Sequence, residues 1–141
     1  MTSIDFHSNV ANAILYCCRL ARKARAAQCR IVLLTADRPQ LNALDQALWT
    51  FSEHDFLPHV PAGHALAAKT PIILTQDDAV DLPHHDILVN LSGMLPNHFA
   101  RFERMIEVVG QDAGQVTAGR ERFRHYRERG YPLQHFIAES A

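Results

Sequence analysis

The sequence predicts an α/β fold: a single domain over residues 1–141, three layers deep, with a central and mostly parallel sheet. Three observations carry this expectation. Strand and helix signals alternate from the N-terminus, the order that a layered α/β structure needs. The strands read at 30–36 and 86–92 contain apolar runs suited to burial on both faces. A chain of 141 residues has the size of one domain and buries about two-thirds of its unfolded surface.

The elements follow in order. Thr2–His7 alternates and reads as a first strand. Ser8 or Asn9 can cap a helix running from Val10 through Ala13, Cys17, Leu20 and Ala24 at helical spacing. Arg19, Arg22, Lys23 and Arg25 gather at its end, where cations favour the helix dipole and read as solvated. The strand Arg30–Ala36 comes next. Asp37 can cap a helix over 38–49, whose Leu41, Leu44 and Leu48 share one face while Asp45 and Gln46 face water.

That helix ends at Trp49, the only tryptophan. Residues 52–55 are polar and turn-like, and Phe56–His59 is a short extended piece stopped by proline. Trp49, Phe51 and Phe56 thus surround one helix end. They suit core packing, or the centre of a partner interface with Thr50, Glu53 and His54 as its rim.

Residues 60–69 read as a loop with at most one helical turn, and 71–75 as a short strand. A polar, acidic stretch at 76–85 precedes the strand at 86–92. A short helical piece begins at Leu95-Pro96, with Phe99, Phe102 and Met105 packing near it. Met105–Val109 reads as the last strand. A helix over 111–130 ends at Gly130, a plausible C-terminal cap, and Tyr131–Ile137 is an apolar tail that folds back.

Composition narrows the chemistry. Net charge is −1, so no overall field draws the chain to nucleic acid. Arg120 to Arg129 nevertheless holds five arginines and two glutamates, a local +3 that leaves the rest at −4. The three cysteines fit neither a zinc spacing nor a disulfide framework, and their usage suits a reducing cytoplasm. No signal peptide or membrane-length apolar run is visible, so the expected location is cytoplasmic.

Other chemistry finds little support. In a Rossmann-like fold, nucleotides bind after a strand's carboxyl end, yet the turn Thr35–Pro39 has no glycine and no phosphate loop. His84 and His85 diverge if they stand on a strand, and no helical histidine pair marks a metal. Cys17 and Cys18 sit mid-helix, where burial raises a thiol pKa. No catalytic residue, metal or cofactor is therefore expected. The alternative is a small nucleotide-dependent hydrolase using Asp37 and the acidic loop Asp77, Asp78 and Asp81. A third reading has the Arg120–Arg129 helix binding nucleic acid directly, which the balanced net charge disfavours.

The last helix is more specific. Arg120, Arg124 and Arg127 line one face with Phe123 beside them and Tyr126 flanking, while Arg122 and Arg129 lie elsewhere. A guanidinium takes a carboxylate bidentately, and a ring packs against the apolar group that carries it.

Two stretches resemble the chi subunit family of bacterial DNA polymerase III. The first is Leu44-Asp45, Ala47-Leu48-Trp49, Phe56, Pro58-His59 and Ala62-Gly63. The second is Arg120-Glu121-Arg122-Phe123-Arg124, Tyr126-Arg127 and Gly130, and the strand Asp86-Ile-Leu also fits. The resemblance implies a non-catalytic clamp-loader accessory subunit. It bridges the psi subunit to the acidic C-terminal tail of single-stranded DNA-binding protein, without sequence-specific nucleic acid binding. It implies a tail site at Arg120, Phe123, Arg124, Arg127 and Val109, and a psi site at Phe56 and Trp49. Val116 departs from a basic position in the family, and the segment 110–117 is shorter than in the family.

Overall fold

Among the described residues seven strands run parallel in one sheet, in the order β3-β4-β2-β5-β6-β1-β7. The computed structural model describes residues 1–51, 57–77 and 79–138. In chain order the elements are β1 (Ser3–Val10), α1 (Ala13–Ala26), β2 (Ile31–Leu34), α2 (Arg38–Thr50), β3 (His59–Pro61), β4 (Ile72–Thr75), β5 (Ile87–Asn90), β6 (Arg104–Gly110), α3 (Ala113–Glu128) and β7 (Leu133–Ile137). The expected α/β class and three-layer, Rossmann-like arrangement hold, and every described strand pair is parallel.

The continuous apolar strands are explained by two cores. Ile31, Leu33, Ile72, Leu74 and Val89 face α1 and α2, with Cys17, Ala21, Leu44 and Leu48 packed on them. Val32, Ile73, Leu88, Met105 and Val109 face the other way, toward α3 and its Tyr126. Alternate strand residues point to opposite faces, so a strand buried on both sides must be apolar throughout. Burial also holds the Cys18 thiol at about 11 and pushes that of Cys17 well above its usual range.

Several element boundaries differ from expectation. β1 runs on to Val10 through a register shift, with Asn9 at φ +60°. The chain therefore enters α1 later, and its cap is Asn12, whose side chain accepts from Leu15 N at 3.1 Å. The cap at Asp37 is as expected, accepting from Gln40 N at 2.9 Å. Residues 60–69 hold more than a loop: β3 pairs with β4, and a 3₁₀ turn forms at Ala67–Lys69. The short helical piece expected from Leu95 is a 3₁₀ turn at Phe99–Arg101. β6 is not the last strand, because the C-terminal tail adds as β7 beside β1.

Candidate functional site

β1 and β6 are neighbours, yet the helices that follow them lie on opposite faces of the sheet. Such a switch opens a crevice beyond the carboxyl ends of the strands, the usual ligand position in open α/β sheets. A cavity of about 540 Å³ lies there. Ser8 and Asn9 from β1 and Gly110 and Gln111 after β6 line its upper end, with Gln111 Nε2 donating to Asn9 Oδ1 at 3.2 Å. Phe6, Val109, Val116, Gly119 and Phe123 form an apolar floor. Arg120, Arg124 and Arg127 stand on the α3 side, and His135 and Ile137 of β7 on the other.

The position of α3 is set by its own residues. Asp112 Oδ1 accepts from Gln115 N at 2.9 Å, Gln115 Nε2 donates to Asp112 Oδ2 at 2.6 Å, and Gln115 Oε1 accepts from Gly110 N at 2.9 Å. The Asp112 cap satisfies the Gln115 amide that the first helical turn leaves open, and the Gln115 side chain ties that turn back to the end of β6. At Gly119 the helix meets β6 closely: a Cβ would lie 3.1 Å from both Val109 methyls. At the other end Gly130 has φ +83°, Tyr131 N donates to Tyr126 O at 3.2 Å and Gly130 N to Arg127 O at 3.0 Å, closing the helix in a Schellman turn.

Beneath the site is a buried polar cluster. Glu107 is fully buried on the α3 face of β6. Its carboxylate accepts from Arg122 Nε at 3.1 Å, Tyr126 OH at 2.6 Å and Asn90 Nδ2 at 2.9 Å. Arg122 also donates to Gly93 O at 2.8 Å. Burial raises the Glu107 pKa from its ordinary value, while Arg122 and the hydrogen bonds oppose the rise. Burial and the Glu107 charge push the Tyr126 hydroxyl strongly upward, so the phenol stays protonated and donates. This cluster fixes α3 to β5 and β6 from inside.

The cavity thus brings together Val109, Arg120, Phe123, Arg124 and Arg127. The three arginines are exposed and have no salt bridge among the described residues. Phe123 is half-buried, edge-on to Phe6 with centroids 5.1 Å apart. Arg122, two residues from Arg120, points into the protein.

Trp49 lies elsewhere, at the end of α2. It is 53% exposed and its ring is tilted on His59 at 4.5 Å. His59 in turn holds Asp45 Oδ1 at 3.1 Å, so Asp45 does not simply face water. Phe56 lies outside the described residues. Phe51 is half-buried, with the Arg22 guanidinium 5.1 Å from its ring centroid.

Sequence reasoning missed Phe6, Ser8, Asn9, Gln111, His135 and Ile137. The carboxyl ends of β1 and β6 could have pointed to four of them; β7 gave no signal. Of the acidic residues singled out for hydrolysis, Asp37 caps α2, Asp77 Oδ1 accepts from Ala79 N at 2.9 Å, Asp81 is exposed and Asp78 lies outside the described residues. His84 is buried with its Nε2 3.2 Å from Thr70 O, and His85 meets Phe102 edge-on with ring centroids 5.1 Å apart. Both precede β5, in irregular chain rather than on a strand. Among the described residues no helix is long and apolar enough to cross a membrane.

A family model described as "DNA polymerase III chi subunit, HolC" matches residues 1–134. The chain belongs to the DNA polymerase III chi subunit family. It is 35% identical over 138 residues to the DNA polymerase III subunit chi of Pseudomonas aeruginosa, covering 95% of each chain. The subunit chi of Haemophilus influenzae is 28% identical over 116 residues, covering 82% of this chain and 81% of that one. The subunit chi of Escherichia coli K12 is 25% identical over 132 residues, covering 94% and 88%. Family membership makes the chain a replication accessory protein and accounts for the resemblance at both ends of the sequence.

Proposed function

We propose that the chain is a non-catalytic adaptor of the clamp loader, joining a psi subunit to the acidic C-terminal tail of single-stranded DNA-binding protein. One observation supports this above the others: three arginines with no salt bridge among the described residues stand beside an apolar floor in the crevice at β1 and β6. A chain terminus offers what that surface lacks, a carboxylate next to an apolar side chain. Arg120 takes the carboxylate, and Phe123, Phe6 and Val109 receive the side chain, aromatic rings suiting an edge-on ring best. Arg124 and Arg127 attract the acidic residues upstream. The psi subunit docks around Trp49, at the other sheet edge, with Phe56 as the second residue that the family resemblance assigns to it. No site residue acts on a substrate in this reading, and the protein works in the cytoplasm as one domain.

Two partners on one small protein raise each other's effective concentration without new chemistry. The test is capture of single-stranded DNA-binding protein by this chain, with the full partner and with one lacking its last residues. Capture of the full partner alone supports the reading; equal capture of both refutes it.

A further inference from the structure

A carboxylate clamp leaves one feature of this end of the molecule unused, the open side of β7. Among the described residues β7 pairs only with β1, in register from Ile4↔Leu133 to Ser8↔Ile137. Ile4 N donates to Pro132 O at 3.0 Å, and Ala138 N donates to Ser8 O at 2.8 Å. Along a parallel ladder successive residues turn their main-chain groups alternately toward and away from the partner strand. Residues 132, 134, 136 and 138 therefore face β1. The N–H and C=O groups of Leu133, His135 and Ile137 face outward, with no hydrogen bond to another described residue.

Natural edge strands are usually blunted by charge, proline or a bulge. The sequence of β7, Leu-Gln-His-Phe-Ile, has no charged residue or proline. Phe136 is 46% exposed and Ile137 is 70% exposed. The side chains of His135 and Ile137 also line the cavity beside Arg120, so groove and open edge are continuous.

We propose that the residues preceding the terminal carboxylate of an acidic peptide add to β7 as a parallel strand. This rests on the reading of the cavity as a carboxylate clamp. Chain direction and charge fit it. α3 links parallel strands and so returns antiparallel to them. From Arg120 to Arg127 it descends about 10 Å toward the strands' amino ends. A peptide with its carboxylate at Arg120 and its acidic residues beside Arg124 and Arg127 therefore runs in the direction of β7. About three extended residues cover that distance. Main-chain hydrogen bonds hold such a strand, and alternate acidic side chains turn toward the arginine face.

The test uses the full chain and a synthetic acidic peptide ending in phenylalanine with a free carboxylate, N-methylated at one residue at a time. Methylation at every second residue weakens binding by about three- to tenfold, the worth of one hydrogen bond, and at intervening residues it changes little. A flat scan, or equal losses at every residue, overturns strand addition. Ile137→Pro is the matching change on the protein. It removes an outward N–H, which an edge strand tolerates. It should bind the peptide more weakly than Ile137→Ala, which keeps the outward N–H; equal binding by the two variants overturns the proposal. An amidated peptide tests the clamp separately. If amidation weakens binding while the scan is flat, the clamp stands and strand addition falls. If amidation changes nothing, the clamp fails and strand addition with it.

Discussion

Arg120 and Arg122 stand two residues apart on α3 and meet opposite surroundings. Arg122 is 7% exposed and shares the buried Glu107 with Tyr126 and Asn90. Removing one partner of a buried pair leaves the other charge uncompensated. Arg122→Ala should therefore cost about 3–5 kcal/mol of stability, read by urea unfolding. Arg120→Ala removes an exposed group and should stay within about 0.5 kcal/mol by the same measurement. Similar losses for the two would contradict the division between a structural and a binding arginine. This division was only partly legible in the sequence. Helical spacing separates Arg122 from the face of Arg120, Arg124 and Arg127. It does not reveal that Glu107, on β6, lies opposite Arg122, because the packing of α3 on the sheet brings them together.

At the scale of elements, α3 carries the site only as long as it lies close on β6. Gly119 permits that approach: even a Cβ there would require Val109 to give by a few tenths of an ångström, and a long side chain by far more. Gly119→Leu should destabilise the fold by about 1–3 kcal/mol through overpacking and weaken peptide binding, as α3 moves off the floor. Thermal melts and calorimetry read the two effects; unchanged melting would mean that the contact is not tight. The C-terminal end of α3 was visible in sequence through Gly130, and so were the apolar runs of β2 and β5; the expected start of α3 lies two residues early, and its cap at Asp112 was not anticipated. β7 was not. Its burial is low throughout, so it shows neither a buried run nor a strong alternation, and its pairing with β1 spans nearly the whole chain. β3 was hidden for a similar reason, being three residues at the opposite edge with proline at its end. Edge strands depend on a neighbour distant in sequence, and local pattern says little about them.

Across the whole molecule, the cavity beside β7 and the Trp49 patch by β3 occupy opposite edges of the seven-stranded sheet. Six strand spacings separate the edges by roughly 29 Å. Trp49→Ala should therefore leave peptide affinity unchanged while losing the psi subunit in co-purification; loss of both would place the two functions on one surface. Stability should also depend on pH. Burial lowers the pKa of His7 and of His84, the latter with a buried, unpartnered Nδ1. A histidine with a depressed folded pKa contributes stability that is present above its unfolded value of 6.5 and lost as pH falls through the folded one. Glu107, its pKa raised, acts with the opposite sign, so the comparison that isolates His84 is wild type against His84→Gln. The wild type should lose more stability between neutral and mildly acidic pH; an equal loss would show that His84 titrates normally in the fold.

In the proposed reading the crevice of β1, β6 and α3 grips a free chain terminus. Titration calorimetry with one acidic peptide, carboxylate free or amidated, measures this directly. The clamp at Arg120 predicts that amidation weakens binding by about 1.5–3 kcal/mol, the range for hydrogen bonds to charged groups. Equal affinity of the two peptides would contradict it.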